Sequence, residues 1–265
     1  MQNRAEEHAR LPPSCCRNAQ RGSLQLCANR THRTPRSIVA KIDDPVHLAG
    51  FRPRLASHFK WNSHERPHVS GQIDFFYEFA SPYSFIAAQR LPALAERVGR
   101  TIRWRPIELQ KVWAAQGILE AYGAIRKAKR SYILTDVKRT ADDLGITLKA
   151  PGAPVDATLA RLAVYGLEAS TPGLGAKLTL KLWRRLWGEG LNISTMNDML
   201  LALPDGIDRA MLQAATEAPE ALECLSSSNA DAVASSCFGV PWIVADGGTY
   251  FGQDRLEMLE RHLVR

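Results

Sequence analysis

Ile73-Asp74-Phe75-Phe76-Tyr77-Glu78-Phe79-Ala80-Ser81-Pro82-Tyr83-Ser84 is the stretch that decides the fold of this chain. Ile73–Phe79 is nearly continuously apolar, the pattern of a central strand covered on both faces. Ser81 and Pro82 break it, and a helix is expected from there to about Val98. Its apolar stripe is Ala87, Leu91, Leu94 and Val98, with Gly99 as the stop and Pro92 predicting a kink. Ile102 and Trp104 then alternate with Arg103 and Arg105, which reads as a strand with one solvated face. Strand, helix and strand over this length make a right-handed βαβ unit.

Further along, residues 110–235 read as mostly helical. Leu178, Leu182 and Leu186 form one apolar row, and other helices are expected near 126–144, 157–169, 195–203 and 208–235. Val240–Val244 reads as a strand, Asp246-Gly247 as a hairpin turn, Thr249–Phe251 as its partner, and Asp254–Leu263 as a closing helix. The order is βαβ, a long helical block, then ββα. It specifies an α/β class, a thioredoxin-like fold with a large all-helical insertion. Residues 72–109 and 236–265 form the thioredoxin-like domain and 110–235 the inserted one.

The net charge of +7 suggests nucleic acid until it is located. Residues 1–70 hold 12 Lys/Arg against 5 Asp/Glu, whereas the remainder holds 22 of each, so the body is neutral and lacks a phosphate-backbone footprint. The first 70 residues show no sustained period and are broken by six prolines. They are expected to be a disordered basic extension, or one added by a mis-annotated start. No apolar run approaches the roughly 18–20 residues of a spanning helix, and no apolar segment follows Met1, so a cytoplasmic chain without a membrane segment is expected. Six of the seven histidines and three of the five cysteines lie before residue 71. The body therefore has neither the stock for a Cys/His zinc site nor a ready histidine base, and no metal is expected.

Three places carry chemistry. Ser81-Pro82-Tyr83-Ser84 opens the first helix where a thioredoxin fold holds Cys-x-x-Cys. Both cysteine positions are serine, so dithiol exchange is excluded, while a helix start that favours an anion remains. The bland reading is an ordinary N-cap with proline at the first helical position. Val240-Pro241 fits the cis-proline that faces the active-site helix, against an ordinary strand-opening trans proline. Gln253-Asp254 marks the last helix start, where a carboxylate and an ammonium can both be held; alternatively Asp254 is only a cap.

Together with Trp104-Arg105-Pro106, Phe238-Gly239-Val240-Pro241 and Phe251-Gly252-Gln253-Asp254-Arg255-Leu256, the opening stretch resembles the 2-hydroxychromene-2-carboxylate isomerases. These are relatives of the kappa-class glutathione transferases and of DsbA-like oxidoreductases. The resemblance covers residues 72–265. It implies glutathione as cofactor, with Ser81 beside its sulfur as the catalytic residue. It also implies main-chain bonds from Val240 next to Pro241, and Gln253 and Asp254 on the γ-glutamyl end. It further implies a small-molecule aromatic substrate and is compatible with a homodimer. Many members carry an Asn-Pro step that would fall near Val155-Asp156-Ala157, and this chain lacks it.

On this resemblance a borrowed thiolate adds to the double bond of an unsaturated pyruvate, allows rotation, and leaves. Lys127, Lys129, Arg130 and Arg105 are candidates for the substrate carboxylate. Trp183, Trp187, Cys224 and Cys237 read as packing residues. A kappa-like transferase that forms stable conjugates and a non-catalytic glutathione or peptide binder remain open beside the isomerase.

Overall fold

The computed structural model describes residues 71–264, and the extension expected over residues 1–70 lies outside them. Among the described residues four strands form one sheet in the order β2-β1-β3-β4: β1 (Gln72–Tyr77), β2 (Thr101–Pro106), β3 (Trp242–Ala245) and β4 (Gly248–Phe251). β1 and β2 are parallel, while β3 runs antiparallel to both β1 and β4. The fold is therefore the thioredoxin-like α/β arrangement read from the sequence. At the β3–β4 turn Asp246 and Gly247 both adopt positive φ, 44° and 77°, as a tight hairpin requires.

α1 (Pro82–Arg97) crosses from β1 to β2 and continues as helix past Pro92, whose ring sits on the exposed side. Between β2 and β3 lies the helical insertion. It comprises α2 (Leu109–Ala115), α3 (Leu119–Asp143), α4 (Thr158–Ser170), α5 (Leu174–Trp183), a π-helical turn (Arg184–Gly188), α6 (Met196–Leu200), α7 (Arg209–Glu217) and α8 (Pro219–Ala234). A 3₁₀ turn (Gln253–Arg255) leads into α9 (Leu256–Leu263). The continuous helix expected over 208–235 is two helices. Pro219 holds Ala218 extended (φ −65°, ψ 126°), which ends α7 and starts α8.

Period-2 alternation puts the two faces of β1 into different cores. Ile73, Phe75 and Tyr77 join α1, α4, α5 and α9, whereas Phe76 joins Ile107 and Val112 near α2, Ala232 of α8, and Trp242 and Val244 of β3. Tyr77 is the hub of the first core. Its ring lies 4.6 Å from that of Trp183 and 5.4 Å from that of Phe75, and its hydroxyl shares a 2.7 Å hydrogen bond with Thr179.

On β2, Arg103 is exposed and bonds Asp74, but Arg105 is buried, contrary to the solvated face expected for both. α8 covers this end of the strand. Arg105 Nε donates to Ser228 Oγ at 3.0 Å, Nη2 donates to Asp231 at 2.7 Å, and the guanidinium lies 4.6 Å over the Phe76 ring. A buried cation persists only when paired in this way.

Among the described residues no helix is long and apolar enough to cross a membrane. No group of three or more His, Cys, Asp and Glu side chains among them could hold a metal ion.

Close backbone approaches hold the insertion together, the tightest of them between α4 and α7. A Cβ on Gly166 of α4 would lie 2.1 Å from the Ala215 carbonyl oxygen of α7. Gly166→Ala should destabilise the chain by about 1–3 kcal/mol, because backbone cannot yield as a side chain would. Urea denaturation checks this, and an unchanged midpoint would contradict the packing of α4 on α7.

Candidate active site

β1 ends by delivering Phe79, Ala80 and Ser81 to the start of α1. The Phe79 carbonyl leaves the sheet and accepts two indole N–H bonds, from Trp187 at 2.8 Å and Trp183 at 3.3 Å. Both tryptophans are therefore core residues that fasten the insertion to the sheet. Ser81 N donates to the Glu78 carbonyl at 3.0 Å, closing a tight turn.

Ser81 is the N-cap, and its Oγ accepts from Ser84 N at 3.2 Å. That bond uses a lone pair, so the Ser81 hydroxyl proton stays available to a ligand. Pro82 has no N–H, and the Tyr83 N–H has no hydrogen-bond partner among the described residues. One serine O–H and one backbone N–H are thus left at the positive end of a 16-residue helix. Ser84 is fully buried and its Oγ has no partner among the described residues.

Two distant segments reach this end of the sheet. The Val240–Pro241 bond is cis. The β1–β3 register ends with Phe76 opposite Trp242, so Pro241 directly precedes β3 at the end of the sheet where β1 runs out toward Ser81. Val240 lies outside the ladder, and its main chain makes no hydrogen bond among the described residues. The Pro241 carbonyl instead accepts from Gly252 N at 3.0 Å, which draws in the Gln253-Asp254 turn. Gln253 is half-buried there and Asp254 exposed.

Asp254 also acts electrostatically on Tyr83, beside Ser81. Partial burial, the 2.6 Å bond to Asp136 of α3 and the Asp136 charge all raise the Tyr83 phenol, and Asp254 adds to the shift. The structure thus brings the Ser81, Val240-Pro241 and Gln253-Asp254 segments together.

Beneath the Ser81 turn lies a pair that sequence reasoning missed. Arg161 Nη2 of α4 donates to both oxygens of Glu78 at 2.9 Å, and both side chains are nearly buried. Burial raises the Glu78 carboxyl, and the Arg161 charge opposes that shift. A lone acid at the end of an apolar strand was the available signal, but its partner lies 83 residues away.

Of the cationic candidates, Arg105 is committed to Ser228 and Asp231 inside the protein. Lys129 is exposed on α3, and the side chains of Lys127 and Arg130 fall outside the described residues. Cys237 is buried, and burial pushes its thiol up to about 12, a packing residue as expected. Cys224 is exposed, contrary to expectation, because the stripe of α8 that faces inward is Ala221, Leu225, Ser228 and Ala232. Near the missing Asn-Pro step, Asp156 Oδ1 accepts from Thr158 N at 2.9 Å and Oγ1 at 2.7 Å at the start of α4.

The DSBA-like thioredoxin domain matches residues 72–264. The chain is 32% identical over 198 residues to a 2-hydroxychromene-2-carboxylate isomerase of Pseudomonas putida, an alignment covering 73% of this chain and 94% of that protein. It belongs to the 2-hydroxychromene-2-carboxylate isomerase family. The solved structure of an isomerase of that name superposes with a TM-score of 0.61 at 29% identity, over 72% of this chain and 94% of the other. A glutathione S-transferase kappa 1 of Caenorhabditis elegans is 26% identical over 202 residues, covering 71% of this chain and 88% of its own. The isomerase family thus has kappa-class transferases among its relatives, as the sequence resemblance implied.

Ser84 gives a direct check on this helix start. Ser84→Ala should leave stability unchanged or raise it by about 1 kcal/mol, since the hydroxyl it removes is buried without a partner. A loss of stability in urea denaturation would mean that the hydroxyl is bonded in solution.

Proposed function

We propose that this chain is a cytoplasmic, glutathione-dependent isomerase of 2-hydroxychromene-2-carboxylate or a similar intermediate of aromatic degradation. The observation that carries the reading is the α1 start. Ser81 keeps a hydroxyl proton and Tyr83 an N–H at the positive helix end, while positions 81 and 84 hold no sulfur. Such a start favours an anion and brings no strong nucleophile of its own, so the nucleophile arrives with the ligand.

The surrounding groups fit a γ-glutamyl tripeptide thiol. Val240 has main-chain groups outside the ladder, suited to an extended peptide added like a strand. Gln253 and Asp254 offer an amide and a carboxylate to a group bearing carboxylate and ammonium on one carbon.

In this reading Ser81 donates to the ligand's sulfur and, with the helix end, holds it ionised. Glutathione, when bound, supplies the nucleophilic thiol whose reversible addition relieves the double bond that blocks cis–trans rotation. Val240 and the Gln253-Asp254 turn fix the ligand's backbone so that its sulfur meets Ser81. The Glu78–Arg161 pair ties the chain just before the Ser81 turn to α4.

Kinship with a kappa-class transferase supports a second reading, in which the same site forms a stable conjugate. Glutathione balance separates the two. Isomerisation should return all glutathione at full conversion, whereas stoichiometric consumption would make the chain a transferase. Ser81→Ala should lower kcat about 10- to 100-fold, the worth of one hydrogen bond to a charged group. An unchanged kcat would remove Ser81 from the chemistry.

A further inference from the structure

α1 and the turn after β4 are joined by a single arginine. Arg90 Nη1 donates to the Gln253 carbonyl oxygen at 3.2 Å and to Gln253 Oε1 at 3.4 Å. Its Nη2 donates to Glu257 in the first turn of α9. The Arg90 side chain is only 26% exposed, so this fork is partly shielded from water.

The bond to Oε1 has a fixed direction. A guanidinium has five donors and no acceptor, so it meets only the oxygen end of the Gln253 amide. The NH₂ end must then face away from Arg90, and Gln253 becomes a donor. Asp254, the next residue, is an acceptor with a negative charge. Consecutive residues therefore offer opposite chemistry, which is what a carbon bearing both carboxylate and ammonium requires.

Arg90 is not needed merely to dock α9 on α1. Arg97 makes a two-bond pair with Glu260 further along, at 2.7 and 3.0 Å, and Leu256, Leu259 and Leu263 are buried in the first core. Glu257 also answers the Arg90 charge, so Arg90 reaches a ligand through Gln253 and not as a direct anion contact.

We propose that Arg90 is a positioning residue for the γ-glutamyl end of glutathione. It holds the Gln253 main chain and turns the Gln253 amide so that its NH₂ meets the ligand α-carboxylate, while Asp254 takes the ammonium. The inference rests on the glutathione reading above.

Titration calorimetry of the full chain with reduced glutathione and with cysteinylglycine, which lacks only the γ-glutamyl group, tests it. Arg90→Met keeps the aliphatic stem and removes the donors. Arg90→Met and Gln253→Ala should each weaken glutathione roughly tenfold and leave cysteinylglycine unchanged. The double variant should fall short of the product of the two losses, because both act on one amide. Arg97→Met should change neither affinity.

Gln253→Glu serves if Arg90→Met fails to fold. It preserves a partner for Arg90 but offers no donor, so it too should lose the preference for glutathione. Additive losses, equal losses for both thiols, or a preference retained in Gln253→Glu would overturn the role of Arg90 alone. A wild-type chain that binds no glutathione would sink the functional reading and this inference with it.

Discussion

The hydrogen bonds from Trp183 and Trp187 to the Phe79 carbonyl are the constraint on which the site depends. β1 ends at Tyr77 so that Ser81 can start a helix, and the buried Phe79 carbonyl beyond the ladder needs partners. Left unpaired it would cost about 1–3 kcal/mol. The insertion provides both indoles from the junction of α5 and its π-helical turn, and Trp183 packs on Tyr77 at the same time. A helix begun one turn earlier would bond this oxygen to the Tyr83 N–H. With the indoles on the oxygen, that N–H remains at the helix start.

Charge is handled in the same economical way. The body is neutral overall, and its buried charges are paired across elements: Glu78 with Arg161, Arg105 with Asp231, and Asp74 with Arg103. Each pair joins the sheet to itself or to the insertion, and none leaves a bare cation at Ser81. The α1 N-terminus adds positive character to the Ser81 turn. Arg90 extends the pattern by working through the dipole of a neighbouring amide.

Much of this was legible in the chain. The apolar run into Ser81-Pro82 gave β1 and α1, Asp246-Gly247 gave the hairpin, and the βαβ–helical–ββα order gave the fold, because these signals are local. The positions of Ser81, Val240, Pro241, Gln253 and Asp254 were also readable, since each sits at a strand end or helix start that the pattern marks. What failed depended on neighbours distant in sequence. Alternation alone made Arg105 a surface residue, and only α8, more than 120 residues later, buries it. Cys224 and the break at Pro219 were lost in a helix whose apolar content runs on across the boundary. Glu78–Arg161 and Arg90–Gln253 span 83 and 163 residues, beyond any spacing rule.

The most direct measurement is the pKa of the glutathione thiol when bound to this chain, read from the ultraviolet absorbance of the thiolate across a pH titration. If the Ser81 hydroxyl and the α1 end hold the sulfur ionised, that pKa falls well below the ordinary thiol value of about 8.5 and returns toward it in Ser81→Ala. A bound thiol that titrates at its free value, or whose depressed value survives Ser81→Ala unchanged, would contradict the role given to this helix start.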